Sequence, residues 1–192
     1  MSAENEFSQI LKEIGLSGED ISNLEPNENY ITAVLKGEFD ILGGYTEARK
    51  LLQEKELDKR ELRTIRDAFY MFLKYVHVGL PPSALGFSDM GAGFIYFGIN
   101  EIPDTARKYI EKPSDEMLEE YGKKLKAKIR EVLEVLLDNY EKICPGRCSF
   151  LPSEESLRKL LENVDRYIEA GRFYREKILK DEQALKELTS PA

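Results

Sequence analysis

The sequence predicts a mainly α protein, a single-domain helical bundle with three long helices and several short ones, on three observations. Apolar residues recur at helical spacing over long runs, the runs begin at recognisable caps, and glycine or proline stands where they stop. At 192 residues the chain is near the top of the usual single-domain range and can bury a core without staples. The expected organisation is one helical domain over 1–192: short helices in 1–57, a core with two long helices in 58–143, and a C-terminal helical region in 144–192.

Phe7, Ile10, Leu11 and Ile14 define a short amphipathic helix that Gly15 can stop. A brief turn over 17–24 follows, ended by Pro26, and Tyr30, Ile31, Val34 and Leu35 predict another short helix interrupted at Gly37. Gly43 and Gly44 read as a bend before a helix carrying Ala48, Leu51 and Leu52. Asp58 and Glu61 have the spacing of a capping box, in which the Asp accepts from a first-turn amide and the Glu reaches back. From there Leu62, Ile65, Phe69, Phe72, Leu73 and Val76 hold the helical period until Gly79, Pro81 and Pro82, with Arg63 and Asp67 spaced as an outward i,i+4 ion pair.

Residues 80–100 change character, with Gly86, Gly91, Gly93 and Gly98 set among Phe87, Phe94, Ile95, Tyr96 and Phe97 and almost no charge. Such a stretch must be buried. It is either a helix from about Ser88, the preferred reading, or a minor β element near 94–99. A short helix over 102–110 carries Pro103 early and ends at Pro113. Ser114 then caps the longest predicted helix, 115–143, whose stripe of Leu118, Tyr121, Leu125, Ile129, Val132, Leu136, Tyr140 and Ile143 is widened by Leu133 and Leu137. A stripe that wide packs against more than one neighbour. Ser153 caps a last helix, 154 to about 188, with Leu157, Leu160, Leu161, Val164 and Ile168 on its buried face and Gly171 as a point of bending or breaking. No internal repeat, low-complexity tract or dividing linker is present in the sequence.

Hydrophobic residues at 42% and charged residues at 33% exclude a disordered chain. The net charge of −8 opposes nucleic-acid binding, which needs a cationic surface to release counterions. The basic run Lys123, Lys124, Lys126, Lys128 and Arg130 does not reverse this, because it spreads over more than one helical face and is flanked by Glu119, Glu120, Glu131 and Glu134. No apolar stretch is long enough to span a membrane, and the first residues do not resemble a signal peptide, so the expected location is the cytoplasm. Two cysteines are too few for a secreted disulfide framework. Charge carried mainly by Glu and Lys, with little Gln, is a bias associated with proteins that work hot.

Four constellations could carry chemistry. Pro145 and Gly146 suit the centre of a type II turn that would bring Cys144 and Cys148 together. Free structural thiols, a local disulfide and half of a metal site are all open, in that order, the last short of ligands in a chain with one histidine. That histidine, His77, ends the capped helix just before the glycine-rich segment; the helix dipole favours it there, and a structural role outranks a catalytic one. Glu131, Glu134, Asp138 and Glu141 share one side of the long helix, but no His stands three residues after any Glu, so a solvated acidic face outranks a metal bundle. Residues 86–98 match neither phosphate-binding glycine motif, and their aromatic groups suit a core, a pocket or an interface.

The reading this supports is a helical module that binds another protein or itself, without cofactor or metal. The candidate ligand or interface residues are His77, Phe87, Phe94, Tyr96 and Phe97. Its rival is an enzyme or small-ligand-binding protein with a pocket around His77 and residues 80–98.

Overall fold

A computed structural model describes residues 3–36, 38–80, 115–146, 148–181 and 183. It is mainly helical, and no strand occurs among the described residues. The minor β element near 94–99, the alternative buried helix and the short helix of 102–110 lie outside them, as does the Ser114 cap.

Helix α1 (Ala3–Ile14) buries Phe7, Ile10, Leu11 and Ile14. It stops at Gly15, whose φ of +109° lets Gly15 N donate to Lys12 O and Leu16 N to Leu11 O, the paired closure that satisfies the last free carbonyls. Where a turn is expected over 17–24 there is a second helix, α2 (Gly18–Leu24), because the Ser17 hydroxyl accepts from Asp20 N and starts it. Helix α3 (Glu28–Lys36) buries Ile31 and Val34.

Helix α4 (Ile41–Leu51) corrects the expected bend at Gly43 and Gly44: both lie inside its first turn. Asp40 caps the helix by accepting from Gly43 N at 2.8 Å. A Cβ on Gly43 would stand 2.1 Å from the Asp40 carboxylate, so the glycine leaves room for the cap rather than for a bend.

Helix α5 (Lys59–Tyr75) opens on the anticipated capping box, with Asp58 accepting from Glu61 N at 2.8 Å and Glu61 accepting from Asp58 N at 3.2 Å. It tightens into a 3₁₀ turn (Val76–Val78) and ends at Gly79 with φ +117°. Arg63 and Asp67 do not form the expected ion pair, although both are exposed.

The two longest predicted helices are each divided at an asparagine. Helix α6 (Asp115–Asp138) is followed by a single turn, α7 (Tyr140–Ile143). Helices α8 (Glu154–Glu162) and α9 (Val164–Lys180) meet at Asn163. The Asn139 side chain donates to Val135 O and that of Asn163 to Lys159 O, both at 2.8 Å, so an amide side chain engages the carbonyl four residues back while the backbone leaves helical geometry. Gly171, by contrast, does not break α9, which runs through it. A Cβ there would lie 1.9 Å from His77 O, so this glycine allows the 3₁₀ turn to press directly onto the helix.

The buried residues form one cluster reaching from Phe7 to Tyr174. Helix α1 lies along α9, α4 along α5, and the wide stripe of α6 meets both α8 and α9. The carbonyls released where α5 ends are taken by side chains of these neighbours. Tyr167 donates to Leu73 O, Arg175 to His77 O at 2.8 Å and Tyr121 to Leu80 O at 2.5 Å. The basic run on α6 is an ion-paired surface: Lys123, Lys124 and Lys128 meet the flanking Glu119, Glu120 and Glu131 at 3.2–3.3 Å, and Lys126 meets Asp165 of α9 at 2.8 Å. No described helix is long and apolar enough to cross a membrane.

Candidate functional site

His77 has no solvent exposure. Its ring is enclosed by Phe7 of α1, with centroids 5.3 Å apart, and by Tyr167 of α9 at 4.8 Å. Among the described residues neither ring nitrogen makes a hydrogen bond of good geometry, and the Leu24 backbone offsets only the smallest part of the shift that follows. Burial pushes its pKa down to about 3, and the nearby Arg175 guanidinium adds to the shift. The side chain is therefore a neutral part of the core, out of reach of a ligand in this conformation. Phe87, Phe94, Tyr96 and Phe97, the other candidates, lie outside the described residues.

Of the three states open to Cys144 and Cys148, the structure has the disulfide, with Cα atoms 5.5 Å apart. Gly146 takes φ +99°, the left-handed conformation that the second centre position of a type II turn requires. The disulfide loop and its flanks are tied down at three points. Arg66 Nε donates to Ile143 O at 2.8 Å, Asn23 to Ser149 O at 3.3 Å, and the Tyr140 hydroxyl to Pro152 O at 3.0 Å. Leu151 is buried while its neighbour Phe150 is 62% exposed, so a fixed loop holds an aromatic side chain in water.

A cleft of about 640 Å³ opens between this segment and one face of α5. Lys59, Leu62, Arg63, Arg66 and Tyr70 recur at steps of three and four and so share the side of the helix that looks onto residues 148–151. Tyr70 and Phe150 meet at 5.7 Å between ring centroids, and Lys74, one turn further, donates to the Tyr70 hydroxyl at 2.9 Å. Asp67 is the acidic residue in this lining. A second cleft, of about 560 Å³, lies on the other side of the loop, against Ser17, Asp20, Glu154 and Lys159. The loop is thus a wall shared by two depressions of different charge.

The acidic face of the long helix is partly consumed by the fold. Glu131 accepts from the Tyr45 hydroxyl at 2.8 Å and pairs with Lys128 at 3.3 Å, joining α4 to α6. Burial and this carboxylate push Tyr45 up to about 12. Hydrogen bonding from Tyr45 and the charge of Lys128 outweigh partial burial and hold Glu131 below its usual value. Glu134, Asp138 and Glu141 are exposed, and no described group of three His, Cys, Asp or Glu residues is arranged to hold a metal ion.

The chain matches no protein-family model, no curated protein and no solved structure. Sequence reasoning passed over Lys59, Arg66, Tyr70 and Phe150. The signal it could have used is the row of cations at 59, 63, 66 and 74 opposite the apolar stripe of α5.

Proposed function

We propose that this chain is a protein-interaction module that receives a segment of a partner in the cleft between α5 and residues 148–151. The observation that carries the reading is Phe150, 62% exposed on a loop that a disulfide and three hydrogen bonds hold in place. A single exposed apolar side chain needs no explanation. One that is fixed beside a second aromatic ring over a cleft is a preorganised anchor, because little side-chain or loop entropy remains to be lost on binding. The net charge of −8 supports a protein over a nucleic acid as the partner, and the reading requires no cofactor.

The location we propose is the cytoplasm. A local disulfide is compatible with it in an organism that grows hot, since intracellular proteins of hyperthermophiles are an exception to the scarcity of cytosolic disulfides. The Glu and Lys bias supports such a source.

Selection of a displayed random-peptide library on the intact chain, with counter-selection on the Phe150→Ala variant, tests the function. The expected outcome is enrichment of peptides whose affinity for the variant is lower by about tenfold or more. Enrichment of peptides that both chains hold equally, or no enrichment at all, would remove the cleft from consideration.

A further inference from the structure

Resting on that reading, we infer that the partner segment is acidic: an apolar or aromatic side chain flanked by carboxylates. The chain has 36 acidic residues against 28 lysines and arginines, so a cation on its surface has ample carboxylate to pair with. Along α6 that pairing occurs at Lys123, Lys124, Lys126 and Lys128. On the cleft face of α5 it does not. Lys59 and Arg63 are exposed and make no ion pair among the described residues, although Asp67 stands one turn from Arg63 on the same face. Arg66 uses Nε on Ile143 O, which fixes the guanidinium and leaves its two terminal nitrogens with no partner among the described residues. A fork held by one nitrogen and free at the other two is oriented for a carboxylate before any ligand arrives.

The apolar part of the recognition lies beside these charges. Leu62, Tyr70 and Phe150 line the same cleft and would receive one hydrophobic side chain, while Lys59, Arg63 and Arg66 face what flanks it. The three cations exceed the single Asp67 in this lining, a local surplus opposite in sign to the whole molecule. Long-range repulsion from the acidic body is attenuated within about 8–10 Å at physiological salt, so contacts inside the cleft decide the preference.

The test uses the full chain and three synthetic peptides that share a central Phe flanked by Glu, by Gln or by Lys. Binding is read by fluorescence anisotropy and by backbone amide shifts. The Glu peptide is expected to shift amides of 59–70 and 148–151, to bind about tenfold more tightly than the Gln peptide, and to weaken as salt rises. In the Lys59→Glu/Arg63→Glu variant, two exposed positions whose change leaves the core untouched, the order should invert, with the Lys peptide bound best. Circular dichroism confirms that the variant is folded. If the Gln peptide binds as tightly as the Glu peptide, or a single-stranded oligonucleotide does, the acidic partner is overturned while the cleft remains a binding site. If no peptide shifts those amides, the inference and the proposed function fall together.

Discussion

His77 shows how a residue's chemistry is set by what surrounds it. In the unfolded chain the imidazole takes up a proton near pH 6.5; buried among Phe7, Tyr167 and the Arg175 guanidinium, it does so only near 3. The folded pKa is the lower one, so the unfolded chain binds more protons between these values. The stability that neutral His77 contributes is fully present above pH 6.5 and is lost as pH falls toward 3. The slope is about 1.4 kcal/mol per pH unit, or about 2 kcal/mol at pH 5. His77→Leu, close in volume and without a titrating group, should remove that part of the acid sensitivity. Urea midpoints of both chains at pH 8 and pH 5 check this, and an unchanged difference between the two pH values would show that His77 does not govern it.

Between elements, α9 packs directly onto the turn carrying His77. Replacing a helical glycine with alanine ordinarily stabilises by about 1 kcal/mol, since the backbone of the unfolded chain loses freedom. At Gly171 the new methyl would meet His77 O at 1.9 Å and His77 C at 2.4 Å, backbone atoms that cannot rotate away. Overpacking of this kind costs about 3 kcal/mol. Gly171→Ala should therefore be destabilising by roughly 2 kcal/mol net, measured as a fall in the denaturation midpoint with an unchanged slope. Stability equal to the parent's would mean that the helix and the turn are further apart than described. The divisions at Asn139 and Asn163 belong to the same scale. There a side chain competes with the backbone for a carbonyl, and two helices result from a stripe that reads as continuous.

Across the molecule, the first and last described helices, α1 and α9, are packed as neighbours. Helix α1 puts Phe7, Ile10, Leu11 and Ile14 into the core, each contributing about 1.5–3 kcal/mol by removal from water. Together these approach the whole stability of a typical domain, about 5–15 kcal/mol. A chain that starts at Ser17 should accordingly lose its cooperative thermal transition, by circular dichroism and calorimetry, instead of melting a few degrees earlier. A sharp transition retained by the shortened chain would show α1 to be peripheral.

Most helix positions, the Asp58 and Ser153 caps and the buried faces were legible in the sequence because they depend on residues three or four apart; the helix at 18–24, the Asp40 cap and the divisions at Asn139 and Asn163 were not. Asp58 with Glu61, the closure at Gly15, and the alternation of Leu125, Ile129, Val132 and Leu136 all act within a turn or two of themselves. The pairing of Lys123, Lys124 and Lys128 with acids three or four residues away is local in the same sense, whereas Lys126 pairs with Asp165 of α9, a partner only the fold supplies. Where those helices lie against one another was decided only in three dimensions. His77 reads as a possible site until Phe7 from one end of the chain and Tyr167 from the other close over it. Gly171 reads as a breaker until a backbone carbonyl occupies the space of its missing methyl. The cleft exists only where residues 148–151 come to lie beside α5 and Phe150 meets Tyr70, about eighty residues away in the chain. Local hydrogen bonding and periodicity are properties of short windows, whereas burial, desolvation and unpaired charge are set by neighbours that the chain brings together from a distance.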